Sequence, residues 1–110
     1  MEYLVKMAYV DPGPLLGPDH SAQVVESLVV PSFKKLAELK ASGKIRGGGA
    51  VSGARAAVFI VDVADNAELD QLLLSIPLWR IVKTDATPLQ DFSKRSEHMQ
   101  HVVTQLKARP

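Results

Sequence analysis

The side chains with the clearest chemical potential in this sequence are cations that could bind a carboxylate. Arg46 and Arg55 flank a glycine-rich segment, and a guanidinium group can hold a carboxylate through two parallel hydrogen bonds. Arg55 follows a predicted hairpin turn at Gly53, where an arginine can equally well extend into water. Lys6 lies within an apolar segment, so its ammonium group either enters a pocket or reaches past the sheet edge to solvent.

Asp85 is the candidate general base. If residues 78–87 form a strand, Asp85 shares one face with Trp79, Ile81 and Lys83. Enclosure by Trp79 and Ile81 would raise the pKa of the Asp85 carboxyl toward the range that a base needs. The alternative is a solvated ion pair on the sheet surface. Trp79 is itself either a stacking surface for a planar ligand or a core residue.

Three consecutive glycines, Gly47, Gly48 and Gly49, weaken a segment that otherwise resembles a strand. Their missing side chains could enlarge a cavity and admit a bulky ligand. They could also mark a β-bulge at a sheet edge. We expect the cavity volume beside these residues to decide between the two interpretations.

The three histidines do not predict a metal centre. His98 and His101 stand three residues apart, but no Asp, Glu or Cys pattern completes a ligand set, and a solvated helix face explains them. His20 follows a Pro-rich loop over residues 11–19. It could face the mouth of a pocket or simply lie where a helix is capped.

Composition narrows the class of protein. The chain has 110 residues, a net charge of +1 and no cysteine, which predicts a single domain over residues 1–110 without disulfides or thiolate chemistry. The balanced charge gives no reason to expect nucleic acid or membrane partners. No signal peptide or membrane-spanning segment is predicted, so we expect a cytoplasmic protein whose partners are a small molecule and further copies of the chain.

Apolar spacing predicts four strands and three helical regions. In the first helical region, Pro31 should produce a kink or a junction of two helices. Pro77 should close the second helix, and Pro88 should stop the fourth strand. The predicted strands cover residues 3–10, 45–53, 56–63 and 78–87, and the helices begin at Asp19 or Ser21, at a capping box over residues 65–68, and at Asp91.

This order predicts the α+β class, with a ferredoxin-like βαββαβ arrangement and an additional C-terminal helix. In such a fold, two helices cover one face of the sheet. Residues 56–63 are apolar on both faces, so the other sheet face should also be covered. Two copies stacked sheet on sheet would achieve this, which predicts a dimeric α+β barrel.

Several segments resemble the muconolactone isomerase family. They are "YLVKMAYV", "GKIRGGGAVSGARAAVFIVDV" and "AELDQLLLSIPLWRIVKTDATPL", and together they span most of residues 3–89. This resemblance implies the dimeric ferredoxin-like fold and a proton transfer within a small carboxylated lactone in aromatic-compound breakdown, with neither cofactor nor metal.

The resemblance also implies roles for individual residues. Arg46 and Lys6 fall on an arginine and a lysine of the family, and Asp85 falls on a carboxylate. Asp85 is therefore the expected base, Arg46 the anchor for the substrate carboxylate and Lys6 an electrostatic support. Residues 47–50 replace a His-Leu-Trp-Arg stretch of the family. The residues expected to bind substrate are Arg46, Gly47, Gly48, Gly49, Trp79 and His20.

Three functions are compatible with these features. The first is a cofactor-free isomerase of the kind just described. The second is a ligand-binding or assembly domain that keeps the fold without catalysis, and the third is a cofactor-free oxygenase or tailoring enzyme on the same barrel. Convergence of Lys6, Arg46 and Asp85 on one closed cavity would favour catalysis over simple binding.

Overall fold

The structure is a computed structural model that describes residues 1–10 and 18–109. Residues 11–17 of the loop predicted over residues 11–19 and the side chain of His20 lie outside the described part, and the last two residues of that predicted loop belong to a helix. The elements, in chain order, are β1 (Glu2–Tyr9), α1 (Pro18–Val24), a π-helical segment (Val25–Val29), α2 (Val30–Ala41), β2 (Ile45–Ala50), β3 (Ala56–Asp62), α3 (Asn66–Leu74), a 3₁₀ helix (Pro77–Arg80), β4 (Val82–Leu89) and α4 (Phe92–Lys107).

The four strands form one antiparallel sheet in the order β2-β3-β1-β4. Both central strands pair with strands that are distant in sequence, as the ferredoxin-like βαββαβ arrangement requires. The α+β prediction and the additional C-terminal helix are therefore confirmed. β2 and β4 are the edge strands.

The sheet buries one face beneath helices. In β1, Tyr3, Val5 and Met7 alternate with exposed residues because successive strand side chains point to opposite faces. Phe59 and Val61 of β3 join them in the core, and half-buried residues of α2 and α3 pack against this cluster. The opposite face is not covered by any described helix. We call it the helix-free face, and its members include Leu4, Lys6, Val58, Ile60 and Asp85.

The helical region around Pro31 has no break. A π-helical turn, in which the N–H of Val30 donates to the carbonyl of Val25, leads directly into α2. Pro31 then occupies the first turn of α2, where a missing N–H is tolerated. The wider turn thus accommodates the proline without dividing the region into two separate helices.

The prediction of a strand over residues 78–87 is wrong at its start. Pro77 begins a 3₁₀ helix that buries Leu78 and leaves Trp79 45% exposed, and β4 starts only at Val82. The alternation of apolar residues could not distinguish a strand from a 3₁₀ helix at residues 77–80, because Ile76 and Leu78 enter the core with either structure.

The predicted stop at Pro88 is also wrong. Pro88 pairs with Tyr3, and β4 continues to Leu89. An edge strand tolerates proline because the missing donor can face away from the neighbouring strand.

Two of the three predicted helix starts are confirmed, whereas the start at Asp19 or Ser21 is wrong because α1 already begins at Pro18. The Asp65 carboxylate accepts from the N–H of Glu68, and Glu68 in turn accepts from the N–H of Ala64. Asp91 caps α4 by accepting from the N–H of Ser93. No helix in residues 1–10 and 18–109 has the length and apolar character needed to cross a membrane.

Candidate functional site

A cavity of about 400 Å³ lies between the sheet and the helical region of residues 18–41. We call it the main cavity. It sits where β1 ends and β3 begins, and its volume falls within the range of small-molecule sites. Most of its wall is apolar, and Met7, Val25, Val29, Phe33, Leu78 and Val82 contribute to it.

One end of the main cavity is polar. Tyr9 of β1 and Arg55 of the connection between β2 and β3 lie together there, and Ser21 of α1 also lines the cavity. The Arg55 guanidinium carbon lies 5.3 Å from the centroid of the Tyr9 ring, and the N–H of Tyr9 donates to the carbonyl of Arg55 over 2.8 Å. The stacked ring restricts the arginine while leaving its donors available. This end can therefore bind an anionic group beside an apolar chamber.

A smaller cavity of about 200 Å³ lies between α2 and β2. It shares Phe33, Ala50 and Ala57 with the main cavity, so the two adjoin at the Phe33 side chain. Lys40 lines the smaller cavity, and its ammonium group donates to the carbonyl of Gly48 over 3.2 Å.

The glycine run forms a bulge, and two of its three residues line a cavity. The ladder between β2 and β3 shifts register between Ile45 and Gly47, which is a bulge at an edge strand. Gly48 and Gly49 also line the smaller cavity. Gly48 has a φ of 126°, whereas a Cβ added at Gly47 or Gly49 would meet no atom within 4 Å. The backbone therefore requires glycine at residue 48, while the other two leave open space.

Lys6 and Asp85 are direct cross-strand neighbours on the helix-free face. Arg46 lies at the bulge of β2, and its guanidinium group is 3.6 Å from the Asp62 carboxylate with a side chain 58% exposed. Three strand spacings, roughly 14 Å, separate the strands of Arg46 and Asp85. The fold thus brings Lys6 and Asp85 together and leaves Arg46 apart. None of the three lines either cavity.

The other candidate residues also lie away from the main cavity. Trp79 is on the 3₁₀ helix and lines neither cavity. His98 and His101 are exposed on α4. Among the residues that the structure describes, no group of three His, Asp or Glu side chains could hold a metal ion.

Tyr9 and Ser21 are the polar residues that sequence reasoning did not assign to a site. Their separation along the chain carried no signal, because only the fold brings residues of β1 and α1 to the same cavity. Arg55 had been a candidate carboxylate ligand. Antiparallel pairing of β1 with β3 brings Arg55 to the end of β1.

Together, the sheet order and the chamber under the helices define a small ferredoxin-like α+β protein with a mostly apolar cavity between its sheet and its helices. The chain belongs to the muconolactone delta-isomerase family, whose model matches residues 1–95. The family resemblance expected from the sequence is therefore confirmed. No curated protein matches the chain in sequence.

Two solved structures share this fold. One is muconolactone isomerase, which is 22% identical over 83% of this chain and 90% of its own, with a TM-score of 0.66. The other is the 5-chloro-2-hydroxyhydroquinone dehydrochlorinase of Burkholderia phenoliruptrix AC1100 in complex with 2,5-dihydroxybenzoquinone. It is 19% identical over 86% of this chain and 98% of its own, with a TM-score of 0.60.

Proposed function

We propose that this protein is a small enzyme of aromatic-compound catabolism that takes an anionic ring compound into the main cavity. The observation that carries the proposal is a cation, the exposed Arg55, which lies over the Tyr9 ring and lines a chamber whose described walls are mostly apolar. Membership in the muconolactone delta-isomerase family and the planar quinone held by the related dehydrochlorinase support this substrate class.

Arg55 would hold the carboxylate of the ligand, and the apolar wall would hold its ring. A carboxylate can accept two hydrogen bonds from one guanidinium group, and such charge-assisted bonds are stronger than neutral ones. Tyr9 and Ser21 also line the main cavity, and their hydroxyl groups can hydrogen-bond further oxygen atoms of the ligand.

The proposed reaction is an intramolecular proton transfer without cofactor or metal, as in an isomerase acting on a carboxylated lactone. Asp85 remains the proposed base, with Lys6 as its electrostatic support and Arg46 as a further anion ligand. Because these three residues line neither cavity, they would act on a ligand that reaches the helix-free face between two copies, and not on a ligand that stays at Arg55 in the main cavity. Lys6 and Asp85 are exposed in the isolated chain, so the proposal requires that a second copy enclose them.

We propose a homodimer that stacks the two helix-free faces. Leu4, Val58 and Ile60 form an apolar centre on this face, and Leu4 is 38% exposed in the single chain. Charged residues such as Glu2 and Lys83 lie around this centre, which is the composition expected of an interface. The absence of cysteine suits the cytoplasm, which stays the proposed location.

A second candidate function is ligand binding without catalysis. It is favoured by the composition of the cavity walls. Among the described residues, neither a carboxylate nor an imidazole lines either cavity. A domain of this kind would keep the anion site at Arg55 and would have no base within reach of the ligand.

Calorimetric titration with benzoate and with muconolactone tests the binding site. Arg55→Gln should weaken binding about 10- to 100-fold, because it removes charge-assisted hydrogen bonds. Arg80→Gln is the matched control, since Arg80 is an exposed arginine that lines neither cavity, and its affinity should stay within about twofold of the wild type. Equal affinities in both variants would exclude the proposed site.

Turnover distinguishes the two candidate functions. Isomerisation of muconolactone is followed by ultraviolet absorbance and by uptake of deuterium from solvent into the product. Turnover that is lost in Asp85→Asn supports the isomerase. Undiminished turnover in that variant removes Asp85 from the mechanism. Tight binding without turnover or deuterium uptake supports the non-catalytic function.

A further inference from the structure

The C-terminal helix α4 stands apart from the rest of its own chain. None of its sixteen residues is buried, and it makes no extensive contact with any other described helix or strand. The described residues measure 69 × 32 × 25 Å, and their radius of gyration is 18.7 Å. A compact chain of this length would have a radius of gyration of about 13 Å. The helix therefore projects as an arm.

This arm carries an apolar stripe. Phe92, Met99, Val103 and Leu106 recur at spacings of three, four and seven residues and so share one side of the helix. All four are exposed, Phe92 at 93% and Leu106 at 59%. Isolated helices of this length are only marginally stable in water. The stripe therefore needs a covering surface that its own domain does not supply.

We propose that α4 packs on a second copy of this chain and so strengthens the association of two subunits. The charge of the arm favours this occupant. Residues 92–109 contain four Lys or Arg and one Asp or Glu, whereas residues 1–91 contain nine and eleven, respectively. A basic arm and an acidic domain attract each other when they belong to different copies.

The area also fits. A helix of sixteen residues is about 24 Å long and about 10 Å wide, so its footprint is roughly 240 Å². Two reciprocal arms, counted on both the arm and the surface they cover, remove roughly 1,000 Å² from water. This value reaches the lower range of specific interfaces before any sheet contact is added. The arm lies largely beyond residue 95, where the match to the family ends.

The test uses the full chain with paired substitutions on opposite sides of α4. Met99→Gln with Val103→Gln makes the stripe polar. His101→Gln with Thr104→Gln is the matched control, because these residues face away from the stripe at 3.6 residues per turn. Sedimentation equilibrium measures the dissociation constant of the dimer, and thermal unfolding at high dilution checks that the domain is intact.

The stripe variant should raise the dissociation constant at least tenfold, and the control should stay within about twofold. An unchanged constant in the stripe variant overturns the proposal, and so does a wild-type chain that stays monomeric at all concentrations, since the arm would then serve another partner. Leu4→Lys separates the two contacts. If Leu4→Lys dissociates the dimer and the stripe variant does not, the stacked sheets hold the dimer and the proposal for α4 fails.

Discussion

Replacing Gly48 with alanine should destabilise the fold far more than replacing its neighbour Gly47. Gly48 lies opposite Phe59 in the bulged part of β2, with a φ of 126° that L side chains rarely adopt. A Cβ at this position would lie 2.2 Å from the carbonyl oxygen of Val58 and 2.5 Å from the Cα of Phe59. Both are backbone atoms of a central strand, so they cannot move aside as a flexible side chain could.

The size of the effect follows from the backbone strain and the steric clash that alanine would introduce at residue 48. Holding a residue other than glycine in a sparsely populated backbone region costs about 1–3 kcal/mol. Overpacking against fixed neighbours costs about 1–3 kcal/mol more. The reduced entropy of the unfolded chain returns about 0.4–1 kcal/mol. We therefore expect Gly48→Ala to lower the free energy of unfolding by about 3 kcal/mol, a large part of the 5–15 kcal/mol typical of a domain.

Urea denaturation followed by circular dichroism measures this loss. With a slope of about 1.5 kcal/mol/M, the midpoint should fall by about 2 M urea. Gly47→Ala is the control, because its Cβ would meet nothing within 4 Å and its φ lies outside the left-handed region. The control should be neutral or stabilise the fold by up to about 1 kcal/mol. Equal midpoints in the two variants would refute the view that the bulge requires glycine at residue 48.

Two further predictions concern polar contacts that support the helical layer. Ser32→Ala should lower the free energy of unfolding by about 1–3 kcal/mol, because the buried Ser32 hydroxyl accepts from the N–H of Leu78 over 2.8 Å. Ser27 is exposed, so Ser27→Ala should lower it by less than about 0.5 kcal/mol in the same denaturation assay. Hydrogen bonds from Lys44 and from the N–H of Ala64 lower the pKa of Glu68, so its carboxylate stabilises the fold above its ordinary pKa, and this contribution is lost as the pH falls through the lowered value. Glu68→Gln should accordingly lower Tm near neutral pH, and the difference from the wild type should shrink as the pH falls below the ordinary pKa of a glutamate; a difference that is independent of pH would contradict this linkage.

Much of the fold could be predicted from local sequence signals. The period-two alternation of residues 3–9 and the caps at Asp65 and Asp91 act over a few residues, so they can be recognised without the partner strands. Local signals failed between Pro77 and Pro88. There, a 3₁₀ helix precedes β4, and β4 tolerates Pro88 because it is an edge strand beside β1. The position of a strand at the edge is a property of the whole sheet.

The candidate site could be predicted only in part. Chemical type identified Lys6, Arg46 and Asp85 as charged groups able to bind or to move a proton. It could not show that Lys6 and Asp85 share the helix-free face while Arg46 sits three strands from Asp85. Tyr9 and Arg55 are separated by a long stretch of chain, and their contact exists only because β1 pairs with β3 in one register.

By itself, the sequence determined the class of fold, the family and the number of strands, because each of these follows from residue types and spacings along the chain. The tertiary structure alone decided where a ligand can bind and which helix is left without a surface to cover it. Burial depends on which elements pack together, so the same apolar spacing produces a core face in α2 and an exposed stripe in α4.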